Sequence, residues 1–340
     1  MTSRRMSRWV IALLLISMPC AVAAYLKIGV QVGNAVITLK WKTLPVRYLV
    51  TNRAVAGVTA QQFQTATDAA FGSWNAVPTA QISSSFVGFT AIDPTTDSGQ
   101  TVLGFESHPE DENVLGSTFW EFDTSGNPRA AHIYLNTIFQ WSVASPGEPG
   151  KFDVQSIMTH EIGHLWGLSH SAIGETNQVS GGRSVVGKGA VMFPIAFPPT
   201  NGTPATTNNT IDRTLKPDDI AGISDIYATP AFLQQFGQVQ GKVTLNGAGI
   251  FGAHVTAFNQ RTGAIIGNFS LSNDGSFVIG GLDPGLYLVR AEPLDDADID
   301  SFFDTPNNVN INFKATYYAK LVAVPAGGAS AAIEIKVVAK

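Results

Sequence analysis

The most constraining feature of the chain is an eleven-residue run, His160-Glu161-Ile162-Gly163-His164-Leu165-Trp166-Gly167-Leu168-Ser169-His170. His160 and His164 are four apart, so on a helix they project from one face, one turn from each other. That separation lets two imidazoles reach one zinc ion. Glu161 sits beside them, near enough to act on a water without taking a ligand position. Gly167 allows the backbone to leave the helix in a conformation other residues resist. The chain can then swing round and bring His170 in as a third ligand. Three protein ligands leave the fourth position for water, the requirement of a catalytic rather than a structural zinc site. Half of the chain's six histidines lie in this run.

Composition narrows the setting. Of 340 residues only 14% are charged, with 21 Lys+Arg against 26 Asp+Glu. The acidic balance excludes broad electrostatic attraction to nucleic acid or an anionic membrane. Arg4, Arg5 and Arg8 precede an apolar run from Trp9 to Met18, followed by the small residues Ala21, Val22, Ala23 and Ala24. This order is that of a secretory signal peptide over 1–24, with cleavage expected after Ala23 or Ala24. Cleavage removes Cys20, the only cysteine. The mature chain then has no disulfide and no thiolate zinc ligand. We expect a secreted, extracellular protein, periplasmic or cell-surface if retained, with no later transmembrane segment.

The mature chain has two textures. Residues 25–229 mix strands and helices. Pro45–Val50 reads as a buried strand. Thr59–Val77 reads as a helix with a Thr59/Gln62 capping box and a stripe of Phe63, Ala66, Ala70, Trp74 and Val77. Further strands are expected at Gln81–Phe89, Val114–Phe122 and Ala131–Asn136. A second helix spans Phe152–Leu168, capped by Asp153. A third begins at Pro217, with Ile220, Ile223 and Tyr227 as its buried stripe. Ser169–Thr214 reads as a long structureless stretch, which inside a compact domain is usually functional. A linker follows at 230–237. From 238 to 340, apolar alternation broken by Asn246-Gly247, Thr262-Gly263, Asn273-Asp274-Gly275 and Asp283-Pro284-Gly285 argues for a β-sandwich. The expected class is α+β: a mixed twisted sheet with three helices, then an all-β sandwich of Ig-like or prealbumin-like type.

The histidine run, with its glycine and third histidine at these spacings, resembles the metzincin zinc proteases, and within them the matrixins. Gly189-Ala190-Val191-Met192-Phe193-Pro194 resembles the Met-turn that lies beneath the zinc in that family, with Met192 as its methionine. Trp41 to Tyr48 resembles the family's first strand, Leu215 to Ile223 its final helix, and Ala131 to Asn136 the edge strand along which substrate lies. The resemblance covers most of 41–228. Segments 241–245, 252–258 and 274–287 resemble the carboxypeptidase regulatory-like β-sandwich.

The first resemblance implies a secreted zinc endopeptidase acting on extended protein or peptide substrates. Zn²⁺ would be held by His160, His164 and His170, with Glu161 as general base. Substrate would pair with the strand near His132 to Asn136 by β-augmentation. A side-chain pocket is expected between Met192 and Arg213. Two departures stand out: no mature cysteine is available for latency, and only His108 and His132 remain in the domain for a second zinc. Calcium is common in the family, and Asp93, Asp97, Glu110, Asp111, Glu112 and Asp123 offer oxygen ligands in turn-rich segments. The sandwich reads as a spacer or stabilising domain, with carbohydrate or surface contact as the alternative. The rival to the enzyme reading is a catalytically silent cell-surface adhesion or binding protein that uses the metzincin domain as a scaffold.

Overall fold

A hairpin of β1 (Gly29–Val32) and β2 (Ala35–Thr38) leads into β3 (Val46–Thr51) and then α1 (Ala60–Asn75). The computed structural model describes residues 26–32, 35–180, 182–196, 210–303 and 308–340. The expected signal peptide lies outside them, as does 197–209 of the expected side-chain pocket. The start of α1 follows from its cap. The Thr59 hydroxyl accepts the Gln62 backbone N–H at 3.1 Å, and the Gln62 side-chain Oε1 accepts the Thr59 N–H at 2.9 Å. Two orphan donors of the first turn are thereby satisfied. Phe63, Ala66, Ala70 and Trp74 are buried at helical spacing, as the stripe predicts.

The chain continues through β4 (Ser84–Thr90), β5 (Thr101–Glu106), β6 (Gly116–Phe122) and β7 (Pro128–Asn136). The sheet order is β4-β3-β5-β7-β6, parallel except for β6, which runs antiparallel to β7. This corrects the expected edge strand. Ala131–Asn136 belongs to β7, which has β5 on one side and β6 on the other, and is buried from Ala130 to Asn136. Among the described strands, β6 is the edge next to the histidine helix. Its residues are all half-buried, as expected of a strand covered on one side only. The strand β5, a short continuous apolar run, carries no alternation and was not expected.

Two short strands, β8 (Trp141–Ser142) and β9 (Phe152–Asp153), precede α2 (Val154–Leu165). Asp153 caps α2 by accepting the Ser156 N–H at 2.8 Å, and its buried carboxylate also receives Arg213. Helices α1 and α2 are tied by the Trp74 indole N–H, which donates to the Thr159 carbonyl at 2.8 Å. Their buried side chains, with Met192, Ile223 and Tyr227, form one core against the sheet.

The stretch from Ser169 to Thr214 is not structureless. It contains a hairpin of β10 (Gly174–Val179) and β11 (Gly182–Lys188) and a 3-10 turn at Ile211–Arg213. The hairpin is Gly-rich and mostly polar, which hid its period. The third helix, α3 (Pro217–Ile226), begins at the expected proline; Ile223 and Tyr227 are buried, but Ile220 faces outward. The expected linker instead holds a short helix, α4 (Pro230–Gln235), capped by the Thr229 hydroxyl.

The all-β region comprises β12 (Gly237–Leu245), β13 (Ala248–Gly249), β14 (His254–Asn259), β15 (Ile265–Phe269), β16 (Ser276–Leu282), β17 (Gly285–Glu292), β18 (Thr316–Tyr317), β19 (Val322–Val324) and β20 (Ile333–Val337). One sheet gathers β13, β16 and β20 on β12; the other runs β15-β14-β17, with β18 and β19 on β17. Val239, Val243 and Ile279 of the first meet Val255, Ala257 and Val289 of the second in a shared core. The fold class is α+β. Helix α3 packs on β15 and β16, so the two regions are in direct contact.

Candidate metal centre

Helix α2 sets His160 and His164 side by side, and the turn after it brings in His170. Gly167 sits at φ +100°, and a Cβ there would stand 2.4 Å from the Leu39 carbonyl oxygen. Only glycine satisfies both conditions, so the chain reverses here as the motif predicts. The rings converge, with centroids 4.8 Å apart for His160–His164, 5.3 Å for His160–His170 and 4.8 Å for His164–His170. One ligating atom from each lies within 4.8 Å of the others.

Each ring spends its Nδ1 on a carbonyl. His160 donates to Val191 at 2.8 Å, His164 to Leu168 at 2.8 Å and His170 to Ser301 at 2.6 Å. A carbonyl can only accept, so Nδ1 carries the proton and Nε2 keeps its lone pair. Burial depresses the basicity of all three, helped by neighbouring histidines at His160 and His164 and by Lys188 at His160 and His170: His160 falls well below its ordinary range, His164 to about 3, and His170 moves in the same direction. Neutral imidazoles with oriented, convergent lone pairs are the donor set that zinc takes.

Glu161 is buried beside the triad. Enclosure pushes its carboxyl up to about 7, while a hydrogen bond from Thr118 works in the opposite direction. The Thr118 hydroxyl lies 2.7 Å from Oε2 of Glu161 and 3.0 Å from its backbone carbonyl. Thr118 stands on the edge strand β6, and nothing in the sequence marked it.

Met192 lies beneath α2, fully buried. Gly163 makes room for it: a Cβ at that position would fall 2.2 Å from the Met192 sulfur. The turn is gripped from α3 by Asp219, which accepts the N–H of Val191 at 2.9 Å, of Met192 at 3.1 Å and of Lys216 at 2.8 Å. Burial pushes the Asp219 carboxyl up to about 7, against those three N–H groups and with the help of neighbouring Asp218.

Several of the remaining acidic candidates are already paired among the described residues. Asp93 pairs with Arg53, and Asp123 accepts from Ser125 and Asn127. Only Glu110 and Asp111 lie together, with His108. His108 Nδ1 meets Glu110 at 3.1 Å and Tyr134 donates to Asp111 at 3.1 Å, while the buried His108 Nε2 has no hydrogen-bond partner and lies 3.9 Å from Glu106. His132 is buried on β7 against Glu121 at 2.7 Å, away from His108's group.

Residues 40–177 match the family model of matrixin. Over that segment the N-terminal region is similar to the matrixin family. The matched segment includes the triad and Glu161 and stops short of Met192 and α3. No curated protein matches the chain. Among solved structures, the Bacillus anthracis TIE protein aligns at a TM-score of 0.22 and 16% identity, over 31% of this chain and 17% of that one. A DUF3823 family protein from Parabacteroides merdae aligns at a TM-score of 0.20 and 13% identity, over 31% of this chain and 47% of that one. The chain thus spans less than half the length of either structure. The match supports a metalloprotease kind for this region, and its histidine triad is compatible with a zinc site. No helix among the described residues is long and apolar enough to cross a membrane.

Proposed function

We propose that the chain is an exported zinc-dependent endopeptidase. The observation that carries this reading is the pairing of three imidazoles, each with Nδ1 anchored on a carbonyl, with a buried carboxylate one residue from the first of them. A scaffold has no need of all four groups in these states. His160, His164 and His170 would hold Zn²⁺ through Nε2. Bound there, Zn²⁺ supplies a Lewis acid that polarises a scissile carbonyl and acidifies water.

The chain's own groups do the rest. Glu161 takes the proton of the attacking water and passes it to the leaving amine. Thr118 holds that carboxylate in place from β6. The unpaired edge of β6 is suited to receive an extended peptide as an added strand, with main-chain hydrogen bonds supplying affinity. The substrates are accordingly protein or peptide segments in extended form. The −5 balance of the chain gives no electrostatic reason to bind nucleic acid.

The test is Glu161→Gln in full-length protein. Loss of a general base costs about 10²- to 10⁴-fold in rate. We expect casein cleavage to fall by that order while zinc content stays at wild-type level. Casein cleavage at the wild-type rate in this variant removes Glu161 from the mechanism. Zinc-loaded wild type that cleaves nothing in a broad peptide library, read by mass spectrometry, favours the binding-protein reading instead.

A further inference from the structure

The three ligand histidines differ in where their orienting carbonyls come from. Val191 and Leu168, which receive His160 and His164, belong to the N-terminal region's own loops. Ser301, which receives His170, lies 131 residues further on, in the segment between β17 and β18 of the sandwich. That carbonyl is held in place. Residues 299–301 form a 3-10 turn, closed by Ser301 N–H on Asp298 and Phe302 N–H on Ile299, both at 3.0 Å.

Apolar packing fixes the turn over the metal site. Phe302 presents to the His170 ring near a right angle, with centroids 6.1 Å apart, and meets Phe269 of β15 at 5.5 Å. Ala172 and Phe193 of the N-terminal region share one buried cluster with Phe269, Leu294, Phe302 and Phe303 of the sandwich. A second, polar tie lies alongside. Asp218 at the start of α3 accepts the Gly267 N–H of β15 at 2.9 Å and the Ser171 hydroxyl at 2.5 Å, next to His170 in the chain.

We propose that the sandwich is a working part of the metal centre: the Ser301 carbonyl, locked by Phe302, positions His170 for zinc. The expected spacer role understates this contact. Partners of this kind fix the tautomer and angle of a ligating imidazole, and their removal costs about 10- to 100-fold in metal affinity. The proposal rests on the zinc reading of the triad. Ser301 acts through its backbone, so the side chain to change is Phe302.

Zinc affinity of the full chain is measured by competition with a chromophoric chelator. Phe302→Ala is expected to weaken zinc binding by about tenfold or more. Phe302→Leu, which keeps an apolar plug, is expected to stay within about threefold, well short of that loss. Ile335→Ala, on β20 in the sandwich core and outside the apolar cluster that holds Phe302, controls for general destabilisation and is expected to bind zinc as wild type does. A second readout is the set of exchangeable imidazole N–H signals in cobalt(II)-substituted protein. Wild type should show three, and Phe302→Ala should lose or broaden one while two persist. If Phe302→Ala does not fold, Phe302→Val is read in the same two ways. The proposal is overturned if the Phe302 variant keeps wild-type affinity and all three signals, or if Ile335→Ala weakens zinc as much. Wild type that takes up neither metal overturns the zinc reading itself, and this one with it.

Discussion

Thr118, on the edge strand of the sheet, places its hydroxyl 2.7 Å from Oε2 of Glu161 on helix α2. The contact joins the strand suited to receive a peptide to the carboxylate suited to take a proton. Burial lifts that carboxyl to about 7 even against the Thr118 bond, which favours its ionised form. A general base works only when ionised, so kcat/KM must rise with pH through its pKa. A dication in the triad pulls the same pKa down, which sets the rising limb between about 4.5 and about 7. Thr118→Val removes a hydrogen bond to a charged group, worth about 1.5–3 kcal/mol, and each pH unit corresponds to about 1.4 kcal/mol. The rising limb of kcat/KM should therefore move upward by about one unit or more. A pH profile of peptide cleavage checks this; a limb that stays in place means that Thr118 does not tune the base.

Gly163 and Met192 share a space that has no slack. A methyl at 163 would meet the Met192 sulfur at 2.2 Å and the Trp74 ring at 2.9 Å. Overpacking of a filled core costs about 1–3 kcal/mol. Gly163→Ala should lower the Tm, and pairing it with Met192→Ala should cost less than the two single losses added together, because the second change opens the room the first needs. Strict additivity in thermal unfolding would show that the sulfur is not the obstacle.

Asp219 joins α3 to the Met-turn through backbone N–H groups alone. Its two oxygens take three donors, so an amide at this place would face at least one N–H with its own NH₂ group. Leaving a buried donor unsatisfied costs about 1–3 kcal/mol. Asp219→Asn should lose stability of that order. It should also weaken zinc, because the peptide that Asp219 holds carries the Val191 carbonyl that receives His160. Urea unfolding and chelator competition on one preparation measure both; a stability loss with unchanged zinc affinity would separate the Met-turn from the metal site.

The parts of this site that were legible in the sequence are those carried by one short segment. His160 and His164 announce themselves through helical spacing, and Gly167 through a backbone demand that only glycine meets. Thr118 was invisible because it reaches Glu161 across 43 residues, from a strand whose apolar alternation says nothing about which edge it occupies. The same ambiguity led to β7 being expected at the edge. Its apolar run is equally consistent with a strand covered on one side or two, and only the pairing with both β5 and β6 decides. Ser301 is the extreme case. Its contribution is a backbone carbonyl, which every residue type possesses, so no pattern of side chains could have marked it.

His254 offers a stability test that leaves the metal site aside. It is buried on β14, and its Nδ1 donates to Glu292 at 3.1 Å. Burial depresses its pKa from 6.5 to about 4; Arg290 pushes the same way, while Asp218 and Asp296 oppose. The unfolded chain therefore binds a proton between about pH 6.5 and 4 that the folded chain refuses. The stabilisation is fully present above the unfolded pKa and is lost as the pH falls through the folded one. Over that window the loss amounts to about 3 kcal/mol at about 1.4 kcal/mol per unit. His254→Gln keeps a donor for Glu292 but cannot titrate. The difference in unfolding free energy between wild type and this variant should then shrink or reverse as pH falls from 6.5 to 4. The triad contributes equally to both proteins and cancels. A difference that stays constant across that range, followed by urea unfolding at each pH, would mean that His254 keeps its proton in the folded protein.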